Sequence, residues 1–532
     1  MMTGTPMFAT CQAASDPAMP PPMMWIGLML MLRDVLLHGH EVKLTRASSL
    51  DAAARRHSSA AVPAGRCRLK RRSKGRLLQL TDGSVRASFS KVWIPMISGV
   101  LAVKAIGVSD AYFVGQLGEE KLAAISYAFP IVMTLISLAI GLSAGASSVL
   151  SRMIGADASI EEQAERTTGA IGMAVIISVA LSVFGFLFIG PILSLLGAEG
   201  QIHEDAKCFM MIWFAGVVFL VVPVATNGLL RATGDGVSPA ILMSSIAVLN
   251  IAINPVFIFG LGPVPEFGMQ GAAFATITAR GVSTIGAFYL LWRKDLLAAS
   301  IGSLKRGLAR WKQVARIGLP ASLSTSVNPI ALSIATAAVS TIGSAEVAAF
   351  GLVTKIQSFS VVPLLALSAA SAPFVGQNSG AGKTERSRES LWFSAQVSIV
   401  WAVILAVFFY FGGEWLVSFF TESEATRQVA ALYLAIVPLS YAGYGVIISL
   451  TAALNGLGRS VSGLFIGAGR AIGLLASGAW IGVLTGGFLG LAIATFIANA
   501  ASGMIGLFII RQHELKELDA DRGTSPDCYE SD

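Results

Sequence analysis

From Lys91 onward, apolar runs of twenty or more residues alternate with short polar breaks. That pattern marks helices that cross a bilayer, because about twenty apolar residues span its hydrocarbon core. The runs predict helices at 91–114, 122–150, 166–190, 207–230, 237–260 and 269–292, then at 314–342, 346–377, 388–412, 427–455, 460–484 and 487–510. The longest break, 293–313, holds Arg293, Lys294, Lys305, Arg306, Arg310 and Lys312 and divides the twelve spans into two sets of six.

The two sets repeat one another. Pro95 and Pro320, Leu142 and Leu367, and Gly155 and Gly380 are each separated by 225 residues. Gly234 and Gly458 follow at 224, and Thr276 and Thr495 at 219. Six spans per repeat is an even number, so both repeats enter the membrane from the same side. The expected fold is an all-α polytopic membrane protein, with twelve transmembrane helices as two pseudo-symmetric six-helix lobes around a central cavity.

Composition agrees with the pattern. Hydrophobic residues make up 54% of the 532 residues and charged residues 13%, against about 25% charged in soluble proteins. Arg152, Arg231, the basic break, Lys383, Arg386, Arg388 and Arg459 fall on one side of the predicted topology, and Glu119, Glu120, Glu199, Glu204, Glu422 and Glu424 on the other. The positive-inside rule therefore places both termini in the cytoplasm, with the chain in the cell (inner or plasma) membrane.

The remaining boundaries follow. Residues 1–90 form a basic, disordered leader, 91–292 the N-terminal lobe, 293–313 a basic cytoplasmic linker, 314–510 the C-terminal lobe and 511–532 an acidic cytoplasmic tail. In the leader, Met23–Leu32 is too short to span a membrane. The run from Arg66 to Arg76 reads either as a lipid-attracting polybasic segment or as part of a leader set by an early start codon.

Soluble-enzyme motifs such as GxSxG, HExxH and the phosphate-binding GxxxxGK[ST] are absent, and the four cysteines and five histidines form no metal-ligand spacing. No cofactor and no nucleic-acid partner is expected, because the positive excess sits in the leader and loops.

Of the acids in the membrane section, Asp110 alone lies well inside an apolar run. Ionisable groups at such positions are costly and mark pathways, unless they reach water or pair; here the available partner is Arg280. Lys104, Lys355 and Arg470 are the other cations inside predicted spans. Lys104 precedes Asp110 by six residues, which puts it about 120° away around the helix.

Several stretches resemble the multidrug and toxic compound extrusion (MATE) family of cation-coupled antiporters. Val108 to Gly118 resembles the family's first-helix V-D-x-x-x-x-G-x-L-G, and Leu230 to Pro239 its L-R-A-x-G-D-x-x-x-P connection. Asn250 to Gly260 resembles the N-x-x-x-D-P-x-F-I-F-G helix, while Gly271 to Thr276 and Gly376 to Gly382 complete the set. The resemblance covers about 420 residues in order.

It implies ion coupling at Asp110, aided by Asn250, Asn254 and Thr276. Pro95 interrupts its helix and reads either as a bending point or as an irregularity of packing, and Lys104, Phe209, Arg280 and Asn328 are the candidate cavity residues. The chain departs from the pattern where Asn254 replaces an aspartate, Phe209 a tyrosine and Asn328 a glutamate.

The implied function is secondary export of an organic, drug-like or cationic solute by a monomer in the lipid bilayer, by alternating access. The coupling ion is a proton in preference to sodium, although sodium at Asp110 stays open. The alternatives are a lipid-linked saccharide flippase of the same superfamily, and a membrane-embedded enzyme or channel.

Overall fold

The computed structural model describes residues 80–298 and 301–512. The leader's apolar and basic runs and most of the acidic tail lie outside them. The spans are α1 Val85–Gly115, α2 Glu119–Gly155 and α3 Ile160–Leu195. Span α4 is broken into Gly200–Ala215 and Val218–Ala232, and α5 Val237–Phe259 and α6 Met269–Arg293 complete the first lobe. A short linker helix, Ile301–Ala309, leads to α7 Trp311–Val339. Span α8 is broken into Ser344–Ser360 and Val362–Gly380 and is followed by α9 Thr384–Ser418. Span α10 comprises Glu424–Ile436 and Tyr441–Gly456, joined by the tight 3₁₀ turn Val437–Ser440.

Among the described residues, nine helices are long and apolar enough to cross a membrane, and the halves of α4 and α8, bent by 49° and 48°, qualify as two more. The last of the nine, Ser460–Arg511, has 52 residues, about 78 Å of helix against roughly 30 Å of hydrocarbon. It turns at Gly486 and Gly487, where Gly487 adopts φ 56°, a conformation glycine takes without steric cost. This divides it into α11, residues 460–485, and α12, residues 488–511, giving the expected twelve spans.

The first helix starts six residues earlier than expected. Ser84 caps it by accepting from the Ala87 N–H, and Leu80, Val85, Phe89 and Val92 pack against Leu367 and Phe374 of α8. Residues 80–90, read from the sequence as leader, therefore belong to the folded body. Arg86 and Lys91 interrupt the apolar run and hide this first turn.

The lobes meet at the end that carries the basic loops. Trp93 Nε1 donates to the Pro363 carbonyl (3.0 Å), Ser148 to that of Gly456 (3.0 Å) and Gln377 Nε2 to that of Ala232 (2.7 Å). The Leu80 N–H donates to Gln377 Oε1 (2.8 Å), and Lys383 and Arg386 grip the carbonyls of Thr81 and Gly83. Among the described residues, hydrogen bonds between the lobes reach no further than Ser322 and Thr325 of α7 on Leu138 and Ser137 of α2.

The repeat is visible in one reciprocal contact. A Cβ on Gly155 would lie 1.9 Å from the Gln377 carbonyl oxygen, and one on Gly380 would lie 2.2 Å from that of Arg152. Glycine allows the ends of α2 and α8 to cross backbone to backbone. Both partners are related by the 225-residue offset, so a pseudo-two-fold axis passes between them.

Candidate functional site

In the N-terminal lobe α1, α5 and α6 bring four predicted residues together. Asn250 and Asn254 lie one turn apart on α5 and are buried. Asn254 Nδ2 donates to Asp110 Oδ1 at 2.7 Å, with Ser109 Oγ and Asn250 Oδ1 each at 3.4 Å. Asn250 Nδ2 donates to Thr276 Oγ1 at 3.0 Å. The result is a chain of polar groups, Asp110–Asn254–Asn250–Thr276, whose far end is anchored on α6.

Arg280, one turn past Thr276, places its guanidinium over the Trp213 ring, 5.6 Å from the centroid. Its charge acts on Asp110 without a direct ion pair. The sequence did not single out Ser109 and Trp213. Ser109 adjoins Asp110, and Trp213 lies on a separate helix with no spacing relation to Arg280.

Other expected residues fall elsewhere. Phe209, expected at a cavity, is buried in the N-lobe apolar core with Met210, Trp213 and Phe214. An aromatic ring without a hydroxyl has no reason to join a polar cluster. Helix α1 runs through Pro95 as one helix. Lys104 is half-buried and points away from the Ile106 face of α1, which packs on Ile246, Ala247 and Ala279. It lies three turns beyond Trp93 on the side that meets the other lobe. Asn328 is exposed on α7 and accepts from Arg470 Nη1 at 2.9 Å.

Arg470 heads a second cluster. It sits in a π-helical turn, Gly469–Ala476, of α11, a widened helix geometry common at functional sites. Its Nη2 donates to Asn499 Oδ1 of α12 at 3.1 Å, and its guanidinium lies 4.6 Å from the centroid of the Tyr444 ring. Asn499 Nδ2 donates in turn to Ser440 Oγ at 3.0 Å. The offset that relates Thr276 to Thr495 relates Arg280 to Asn499, a signal that could have found this residue from sequence. No carboxylate joins Arg470 among the described residues, and its Nε is buried without a partner.

Two pseudo-symmetric six-helix lobes, closed at one end and carrying polar clusters inside apolar helices, define a multi-pass membrane transporter built from a repeat. The MatE family model matches residues 95–256 and again 320–481, at the spacing of the repeat. The chain belongs to this transporter family. It is 32% identical over 437 residues to the FAD transporter of Shewanella oneidensis, covering 82% of this chain and 96% of that one. It is 29% identical to the probable multidrug resistance protein YoeA of Bacillus subtilis, covering 70% and 82%.

Among solved structures, an outward-facing multidrug resistance MATE family transporter matches with a TM-score of 0.78 and 25% identity, covering 84% of this chain and 99% of that one. The Vibrio cholerae MATE transporter VcmN, in its bent form, matches with a TM-score of 0.76 and 27% identity, covering 82% and 98%.

Proposed function

We propose that the protein is a secondary antiporter that exports an organic solute across the cell membrane in exchange for an inward-moving cation. The observation that carries the reading is the Asp110 cluster, a carboxylate held inside an apolar lobe by a chain of amides. A carboxyl in that setting has to exchange a cation to change its charge, and its two charge states favour different packings of α1, α5 and α6. With the basic loops facing the cytoplasm, the lobe contact seals the inner end and the cleft opens outward. Alternating access would then break the α2–α8 crossing and close the opposite end. Cysteines at Lys305 and Glu422, both exposed, test this orientation: Lys305→Cys should label only from the cytoplasm and Glu422→Cys only from outside.

A proton suits the site better than sodium. Both amides turn N–H groups toward their partners, Asn254 to Asp110 and Asn250 to Thr276. Sodium calls for several converging oxygens, by analogy with other hard cations. One proton moving inward contributes about 2.3 kcal/mol per 100 mV, enough for roughly 50-fold accumulation. The name of the Shewanella relative makes FAD the first solute to assay, with a panel of drugs, after the names of the multidrug relatives, as comparison. Solute-driven proton release from proteoliposomes, with and without a sodium gradient, tests the reading. Efflux that follows sodium and ignores pH would overturn proton coupling.

A further inference from the structure

The membrane interior of this protein carries an excess of positive charge. Near the outer helix ends Lys121 pairs with Asp205, Lys207 with Glu204 and Arg427 with Glu414. Apart from these, within the spans and away from the sealed end, Lys104, Arg280, Lys355 and Arg470 face one acid, Asp110. Arg280 has Asp110 nearby. Among the described residues the other three make no ion pair. Charges in such positions are stable when they pair or face a water-filled pathway.

Lys104 and Lys355 lie on the two helices joined by the Trp93–Pro363 hydrogen bond, about 16 Å and 12 Å beyond it toward the open end at 1.5 Å per residue. Lys104 is on the Trp93 side of α1. Lys355 points away from the face of α8 formed by Ala349, Phe350 and Val353, which packs into its own lobe.

Arg470 is the sharper case, because it is 8% exposed and still lacks an acid. Its two terminal nitrogens are held by the neutral oxygens of Asn328 and Asn499, and its Nε has no acceptor. Asn499 is buried, whereas Asn328 is exposed. Asn328 lies one turn beyond Thr325, between the side of α7 that meets α2 and the side that meets α11. The arginine is therefore reached from the exposed side at Asn328, whose amide oxygen stands where an oxygen of an anion would stand.

We propose that Arg470, framed by Asn328, Asn499 and Tyr444, is an anion-binding subsite of the transport pathway that takes a phosphoryl group of the solute. An incoming phosphate oxygen displaces the Asn328 carbonyl and meets the guanidinium fork, whose planar donors match phosphate geometry. Tyr444 and Asn499 hold the fork in place meanwhile. Lys104 and Lys355 make the cleft attractive to anions before the solute reaches Arg470. The drug-like cation implied by the family resemblance fits this charge distribution poorly.

The inference rests on the export reading for calling the ligand a solute in transit. Its test is equilibrium binding, which needs no gradient and stands or falls separately from ion coupling. The full-length protein in phosphatidylcholine nanodiscs is titrated with FAD, which carries a diphosphate, and with riboflavin, which has the same ring system and no phosphate. FAD is expected to bind at least tenfold more tightly than riboflavin. Arg470→Gln should remove that difference, and Arg470→Lys should retain part of it.

Asn328→Asp supplies the guanidinium with an internal carboxylate at constant size. It should weaken FAD binding at least tenfold in a protein that still elutes as one species, so the test survives if Arg470→Gln fails to fold. Equal FAD affinity in wild type and Asn328→Asp, or riboflavin binding as tight as FAD, would overturn the subsite. Nanodiscs containing phosphatidylglycerol separate the two sources of phosphate. Unchanged FAD affinity supports a soluble solute, and Arg470-dependent loss of FAD binding would overturn it in favour of a lipid head group.

Discussion

Well inside the spans and away from the sealed end, each lobe holds one arginine, and the two are treated differently. In the N-terminal lobe Arg280 sits over Trp213, with Asp110 close enough to share its field. In the C-terminal lobe Arg470 is surrounded by amides and a tyrosine, and Asp110 has Ala335 as its counterpart at the 225-residue offset. The repeat has kept the scaffold and separated the chemistry. One lobe contains a group that can change its charge, and the other a group whose charge is fixed. The proposed antiport would need both, a site that loads and unloads the coupling ion and a surface that selects the solute. Dividing them between lobes would let the rocking of one against the other link the two events.

The largest effect should come from removing the group that changes charge. Asp110→Asn is expected to reduce uphill efflux from roughly 50-fold accumulation to none while leaving equilibrium FAD binding in place. Arg470→Gln should weaken equilibrium FAD binding and lower FAD efflux with it. Transport by energised vesicles, measured beside binding in nanodiscs, separates the two variants, and loss of FAD binding in Asp110→Asn would erase the distinction between the lobes.

The shared scaffold gives the control. Gly155→Ala and Gly380→Ala each force a Cβ against a carbonyl oxygen of the other lobe. Each should destabilise the sealed end by about 1–3 kcal/mol, the range of overpacking. Thermal unfolding should show similar losses for the two, since they occupy equivalent places in one reciprocal contact. A large difference would mean that the pseudo-symmetry does not extend to energetics.

A subtler change sharpens the comparison within the N-terminal lobe. Asn254→Asp places a second carboxylate against Asp110, and efflux should then gain a dependence on sodium, measurable as a shift in activity between sodium and choline media. Proton-driven efflux unchanged by sodium in this variant would show that oxygen donors, rather than charge, limit the wild-type site.

The smallest effect concerns the connections that lead into α5 and α11. Asp235 accepts from the backbone N–H groups of Val237 and Ser238 and from the Ser238 hydroxyl, and it pairs with Lys294 at 3.0 Å. Burial pushes its carboxyl up, but these bonds and the lysine outweigh burial and hold it below its ordinary value. Its contribution is therefore present above the usual carboxylate range, near pH 4, and is lost as pH falls through the lowered value. Asp235→Ala should cost about 1 kcal/mol at pH 7, the worth of a helix cap, and almost nothing near pH 2. Melting curves at the two pH values check this. The equivalent position in the other repeat is Arg459, which cannot accept such bonds.

Much of this protein was legible in the amino-acid pattern because insertion into a bilayer is decided locally. Twenty apolar residues specify a span wherever they occur. Basic loops specify a side, and a glycine or proline repeated at a constant offset reveals the duplication. The Asp110 cluster was legible for a related reason: a carboxylate inside an apolar run is costly, and two asparagines four residues apart share a helix face.

Tertiary structure decided what depends on which faces meet. In a membrane, lipid-facing and core-facing residues are equally apolar, so sequence alone cannot say that Phe209 is core or that Lys104 lies opposite the face of α1 that packs on α5 and α6. Residues 80–83 hold the sealed end through partners about 300 positions away. Arg470 finds Asn328, Tyr444 and Asn499 on three other helices. No local periodicity encodes contacts at such separations. They exist only once the helices have packed, when each polar group left without water must take whatever partner the fold brings to it.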